Sequence, residues 1–176
     1  MDRSNFNRRT FIFGILGAGC SAILLSRAAC AQMDKVHASM AALKAKTAKL
    51  GPPKIEGTEA VAGKDVPALY FGTTKMNSNF DVVDEVAKEN GGTATLFVKA
   101  GDEYVRVATN VKKNDGSRAI GTILDPKGPV VVVIRKSEAY YGDATILGKP
   151  YVTGYDPIRD ASGNVIGIYY VGYLKE

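Results

Sequence analysis

Two arginines and three tyrosines are the residues in this chain best suited to hold a ligand. Arg106 sits in Tyr104-Val105-Arg106-Val107-Ala108-Thr109, and Arg118 follows the turn Asp115-Gly116-Ser117. A guanidinium offers a planar fork of donors that matches the two oxygens of a carboxylate, and phenol hydroxyls can fix the orientation of a small acid held that way. Tyr140, Tyr151 and Tyr155 supply such hydroxyls, and Lys149 adds a second cation. The chemistry these residue types point to is recognition of a short organic acid.

Each has a structural alternative. Arg118 can close its own turn on Asp115, and Arg106 can pair across a sheet with a carboxylate such as Asp156. Tyr140 and Tyr141 are adjacent, so on a strand they face opposite ways and only one can line a pocket. Tyr169, Tyr170 and Tyr173 read as packing residues, and Lys149 before Pro150 reads equally as an exposed side chain.

Catalysis finds little support. The single histidine, His37, stands on a helix, and both cysteines lie in the first 30 residues. The remainder therefore offers no Cys/His or Ser/His constellation and no His-rich metal site. No cofactor is expected, and neither is an enzyme. Asp81, Asp84 and Glu85 cluster at a helix start, where they favour the helix dipole. Gly167 and Gly172 lie within one strand and form no phosphate loop.

These side chains need a sheet to hold them. Thr95–Lys99 and Tyr104–Val111 are β-branched and aromatic, and Ala100-Gly101-Asp102-Glu103 between them supplies a hairpin loop. Alternation puts Tyr104, Arg106 and Ala108 on one face and Val105, Val107 and Thr109 on the other. Towards the C-terminus, Tyr151–Asp160 and Val165–Leu174 form a second hairpin across the turn Asp160-Ala161-Ser162-Gly163-Asn164, and the last run is apolar enough to be a central strand.

Upstream, Met33, Val36, Met40, Leu43 and Leu50 recur at helical spacing, and Gly51-Pro52-Pro53 ends that helix. Lys54–Asp65 lacks periodicity and reads as a connector. Val66–Gly72 returns to the core, and Thr73–Ser78 is a polar loop. Asn79 is placed to cap a second helix carrying Phe80, Val82, Val83 and Val86, which stops at Gly91-Gly92. By propensity, Val130–Ile134 is a strand. Helix first and then antiparallel strands with helical inserts describes an α+β domain.

The extreme N-terminus carries a different message. Asn7-Arg8-Arg9-Thr10-Phe11-Ile12-Phe13 is a twin-arginine pattern, followed by an apolar run to Leu25 and by Ala29-Cys30-Ala31. Residues 1–31 read as an export signal cleaved near Ala31, with an uncleaved membrane anchor as the alternative. Residues 32–66 are then the helix and connector, and residues 67–176 the core. Cleavage lowers the net charge from +5 to about +2, and the remaining lysines form no concentrated basic patch, so no nucleic-acid partner is expected.

Several blocks, in order, resemble the single-Cache sensor domains of bacterial receptors, of the Cache-three/Cache-two fusion type. They are Phe97-Val98-Lys99 with Gly101-Asp102, Val105–Val111, Asp115–Thr122, Ala139–Gly142, Gly148–Tyr151, Tyr155–Ile158 and Ile166–Gly172. The resemblance implies a PAS-like fold, with a long N-terminal helix behind an antiparallel sheet and a small-ligand pocket over the other face. It implies a helix, not a strand, for Val130–Lys136. It also implies a small organic acid or related metabolite as partner, and a membrane receptor or sensor kinase to read the bound state. Relatives usually sit between two membrane helices, whereas this chain reads as a free-standing exported, periplasmic domain. A module that keeps the fold without binding a ligand is the alternative function.

Overall fold

The computed structural model describes residues 20–175, with side chains from residue 30 onward. The twin-arginine pattern lies outside the described residues. The predicted cut near Ala31 falls within one continuous helix, α1 (Cys20–Leu50). Gln32 donates from its side chain to the Leu174 carbonyl at 3.0 Å, and Met33 packs on the core, so the described helix meets the body from about this point. Among the described residues, no helix is long and apolar enough to cross a membrane.

The inward stripe of α1 is Val36, Met40 and Leu43, all buried. Each such side chain contributes about 1.5–3 kcal/mol relative to exposure. Lysines on the flanks tie the helix down, Lys44 to Asp156 at 2.7 Å and Lys46 to Glu85 and Glu89 at 2.9 and 3.0 Å. The helix closes with the Gly51 amide donating to the Ala48 carbonyl, and Pro52-Pro53 prevents its continuation.

The expected connector is instead a strand. β1 (Pro53–Val61) pairs antiparallel with β2 (Lys64–Phe71), and β3 (Thr74–Lys75) adds to β2. Most of β1 is exposed, so its sequence carries no alternation, and backbone pairing alone defines it. Nor is the stretch after β2 simply a polar loop. Met76 and Asn77 are buried, and the Asn77 amide accepts from the Leu69 amide and donates to the Pro67 carbonyl.

Helix α2 (Asp81–Asn90) turns Val83 and Val86 inward. The cap position is Phe80 rather than Asn79, although the Asn79 side chain still accepts from the Asp81 amide at 3.1 Å. The expected cap chemistry therefore acts from one residue upstream.

The main sheet has five antiparallel strands in the order β5-β4-β8-β7-β6. These are β4 (Thr93–Ala100), β5 (Glu103–Thr109), β6 (Tyr140–Ile146), β7 (Lys149–Arg159) and β8 (Val165–Leu174). The last run, β8, is the central strand, as its composition predicts. One face of the sheet packs on α1, α2 and the small sheet, with Leu96, Val98, Tyr169 and Val171 pointing there. Its other face carries Phe97, Tyr155, Ile168 and Tyr170 and is covered by α3 (Pro129–Arg135) and the segment before it. This is the α+β, PAS-like arrangement that the resemblance implies.

Helix α3 settles the conflict over the valine run. β-branched residues are poor helix formers, yet Pro129 opens the helix with its fixed φ and Val130, Val131 and Ile134 bury against the sheet. Tertiary burial outweighs local propensity.

Strict alternation along β5 fails at one point. The register with β4 shifts between Leu96 and Phe97, so Leu96 faces Ala108 while Phe97 faces Arg106. Val107 is the extra residue of a bulge, and Ala108 joins Val105 and Val107 on the helix side. Arg106 and Tyr104 stay on the α3 side.

Candidate functional site

The α3 side of the sheet holds a cavity of about 540 Å³, within the range of small-molecule sites. Its buried floor is made by Arg106, Leu124, Val130, Ile146 and Tyr155, with half-buried Tyr151 beside them. Exposed residues, among them Asp125, Asp143 and Lys175, form its rim.

Arg106 reaches this floor because the chain after the hairpin folds back along β5. The Arg106 amide donates to the Thr122 carbonyl, the Gly121 amide to the Arg106 carbonyl, and the Leu124 amide to the Tyr104 carbonyl, each at 2.9 Å. Gly121 makes the turn possible. Its φ is +74°, and a Cβ there would stand 2.4 Å from that of Ala62.

The side chain of Arg106 is only 4% exposed. Its guanidinium lies 4.9 Å from the Phe97 ring centre. Nη1 donates to Thr122 Oγ1 at 2.6 Å, and that hydroxyl in turn donates to the Ala119 carbonyl at 2.7 Å. Nε has no hydrogen-bond partner. Among the described residues no carboxylate pairs with this cation, and Asp156, the partner considered from sequence, is held by Lys44. A buried charge without a counter-charge is costly. Burial pushes the Arg106 guanidinium below its ordinary value, while Tyr155 and Tyr170 act in the opposite sense.

Tyr155 is placed by a ladder row that crosses the sheet, in which Tyr140 pairs with Tyr155, Tyr155 with Tyr170, and Tyr170 with Thr95. The rings of Tyr155 and Tyr170 are 4.9 Å apart. Tyr170 is anchored through its hydroxyl to Thr93 Oγ1 at 3.1 Å. Gly172 leaves the space, since a Cβ there would be 2.3 Å from the Tyr170 oxygen. Burial raises both phenols well above their usual range, with Arg106 pulling each back, so both are neutral donors at physiological pH.

Of the six residues singled out from the sequence, Arg106, Tyr151 and Tyr155 line the cavity. The other three lie elsewhere. Arg118 is bound bidentately by Asp84, with Nη1 and Nη2 each 2.7 Å from a carboxylate oxygen, and lies over the Phe80 ring at 4.3 Å. It therefore fastens its turn to α2 and does not pair with Asp115, whose carboxylate accepts from Ser117. The Tyr140 hydroxyl donates to the Asp143 carbonyl at 2.7 Å, and its ring packs edge-on to Tyr155 at 6.2 Å. Tyr141 faces the other side, stacked on His37 at 4.3 Å. Lys149 is exposed where β7 begins, and the lysine at the rim is Lys175.

Sequence reasoning missed Thr122, which orients the guanidinium, and the rim group Asp125, Asp143 and Lys175. Nothing around Asp125 marked it as a site residue, and Lys175, just past β8, reaches Asp143 on β6 at 2.6 Å across the intervening β7, a proximity that no local pattern records. Among the described residues, no group of three or more His, Cys, Asp or Glu is placed to hold a metal ion.

Comparison with known proteins returns one family. Its model, the Cache 3/Cache 2 fusion domain, matches residues 24–176, nearly the whole described structure. No curated protein matches the sequence. Cache domains are extracytoplasmic sensory domains that bind small molecules and signal to receptors. The match joins the helix-backed sheet, the covering α3 and the cavity between them: the chain belongs to the Cache 3/Cache 2 fusion domain family.

Proposed function

We propose that this protein is an exported sensory domain that binds a short carboxylate in the cavity under α3 and presents the bound state to a membrane receptor or sensor kinase. The observation that carries the reading is Arg106, a buried cation on the cavity floor with no carboxylate partner among the described residues and with an unpartnered Nε. A ligand carboxylate supplies the missing counter-charge, and an ion pair with so deeply buried a cation is stronger than one in bulk water. Tyr155 and Tyr151 line the same space and offer donors that turn the acid to a single pose.

Thr122 keeps one side of the guanidinium occupied, which leaves the remaining edge for the ligand. The aliphatic floor of Leu124, Val130 and Ile146 takes the carbon skeleton. Because α3 supplies Val130, the ligand touches both the sheet and the helix over it. Occupancy is therefore felt by a surface element that a partner can read.

Export rests on Arg8-Arg9 and the apolar run that follows. Replacing that pair with lysines should abolish recovery from the periplasm, and unchanged recovery argues against the twin-arginine route. Binding is tested by a thermal-shift panel of short carboxylates and amino acids, because a ligand specific for the folded state raises the melting temperature. A positive hit supports the reading, and a panel with none contradicts it.

A further inference from the structure

The charges around the cavity are sorted by depth. Inside, the buried floor carries one cation, Arg106, and the rest is aromatic or aliphatic. At the rim, Lys175 is already held by Asp143 at 2.6 Å, which cancels both charges. Asp125 adds a carboxylate with no ion-pair partner among the described residues, its Oδ1 accepting only from the Lys127 amide.

From this arrangement we infer that the site selects ligands with one inward-facing carboxylate on an apolar body, and rejects di- and tricarboxylates through the acidic rim. The inference rests on the proposed carboxylate reading and names the class of acid within it. A second carboxylate on a short skeleton has two places to go. Within the floor it meets Leu124, Val130 and Ile146 and loses its hydration without a partner. At the mouth it meets Asp125, and the lysine in the cavity lining, Lys175, is engaged by Asp143. Specificity then comes from a repulsive element as much as from the attractive one.

The Asp143–Lys175 pair sets the charge of the rim. While Asp143 neutralises Lys175, the rim is net negative. Once that carboxylate is removed, Lys175 is a free cation able to take a second carboxylate. Rim charge thus tunes ligand class without any change in the floor.

The test is calorimetric titration of the purified protein with butyrate and with succinate, which share a four-carbon skeleton, followed by the same titrations on Asp125→Asn/Asp143→Asn and on Arg106→Met. The expected result is butyrate binding at least tenfold tighter than succinate, a rise of at least tenfold in succinate affinity in the double variant, and loss of butyrate binding in Arg106→Met. Succinate binding as tightly as butyrate to the unmodified protein, and lost with Arg106→Met, overturns the inference while leaving the carboxylate reading intact. If neither these acids nor any other carboxylate binds, both fall. A double variant that unfolds is replaced by Asp125→Asn alone, in which an unchanged ratio of the two affinities also overturns the inference.

Discussion

Arg118 and Asp84 form a bidentate pair, two hydrogen bonds of 2.7 Å that clamp the turn after β5 onto α2. Only one of the two arginines singled out for chemistry is therefore free to meet a ligand. Asp84 raises the Arg118 guanidinium above its ordinary value, whereas burial lowers Arg106. Opposite surroundings give opposite roles.

The clamp is partly exposed, so solvent screening limits its contribution to about 1 kcal/mol. Arg118→Ala should lower the melting temperature by about 2–4 °C and leave ligand affinity within a factor of two. Differential scanning calorimetry and a binding titration on one preparation check both. A tenfold loss of affinity would return Arg118 to the site.

Arg106 should behave in the reverse way. Replacing a buried cation that lacks a counter-charge with an apolar side chain of similar length removes a desolvation cost, at the loss of one hydrogen bond worth about 1 kcal/mol. In the absence of ligand, Arg106→Met should melt no lower than the unmodified protein. A fall of more than about 5 °C would mean that the cation serves the fold.

Helix α3 offers a stability test independent of the site. Val132 is the outward residue of its valine run, 54% exposed, so packing does not determine its identity. Val132→Ala should stabilise the protein by about 0.5 kcal/mol through helix propensity alone, read as a rise of roughly 1–2 °C. If the segment were a strand, the same change would destabilise.

How far the sequence revealed these features differs from element to element. The hairpins, α1 and the central β8 were legible because burial imposes their periods on the residues themselves. β1 was not, since a largely exposed edge strand needs no apolar alternation. The bulge at Val107 was hidden for another reason: a register shift is a property of two strands together, and β5 alone shows an unbroken alternation. In the site, Arg106 stood out as a charge among apolar neighbours. Arg118 looked similar, but its partner Asp84 is 34 residues away on a different element. Lys175 and Asp143 are likewise joined only by the fold.

The buried phenols make a prediction about alkaline pH. Burial raises Tyr155 and Tyr170 in the folded state above the value of about 10 for an unfolded chain, and outweighs the opposing pull of Arg106 on both. A raised folded value means that the stabilisation is complete below about pH 10 and is lost as pH climbs towards the folded value. The melting temperature should hold between pH 7 and about 9 and fall steeply above about 10. Phenolate absorbance should show these two tyrosines ionising only with unfolding. Their titration in the native protein at about pH 10 would show that the cavity is wet.

The central claim is that Arg106 is the anchor for a ligand carboxylate. Isothermal titration of one short monocarboxylate into the unmodified protein and into Arg106→Met, each confirmed folded by circular dichroism, tests it most directly. The account predicts saturable binding at one site in the first and at least a hundredfold loss in the second, about 2.7 kcal/mol or more. Equal affinity in both proteins would contradict it.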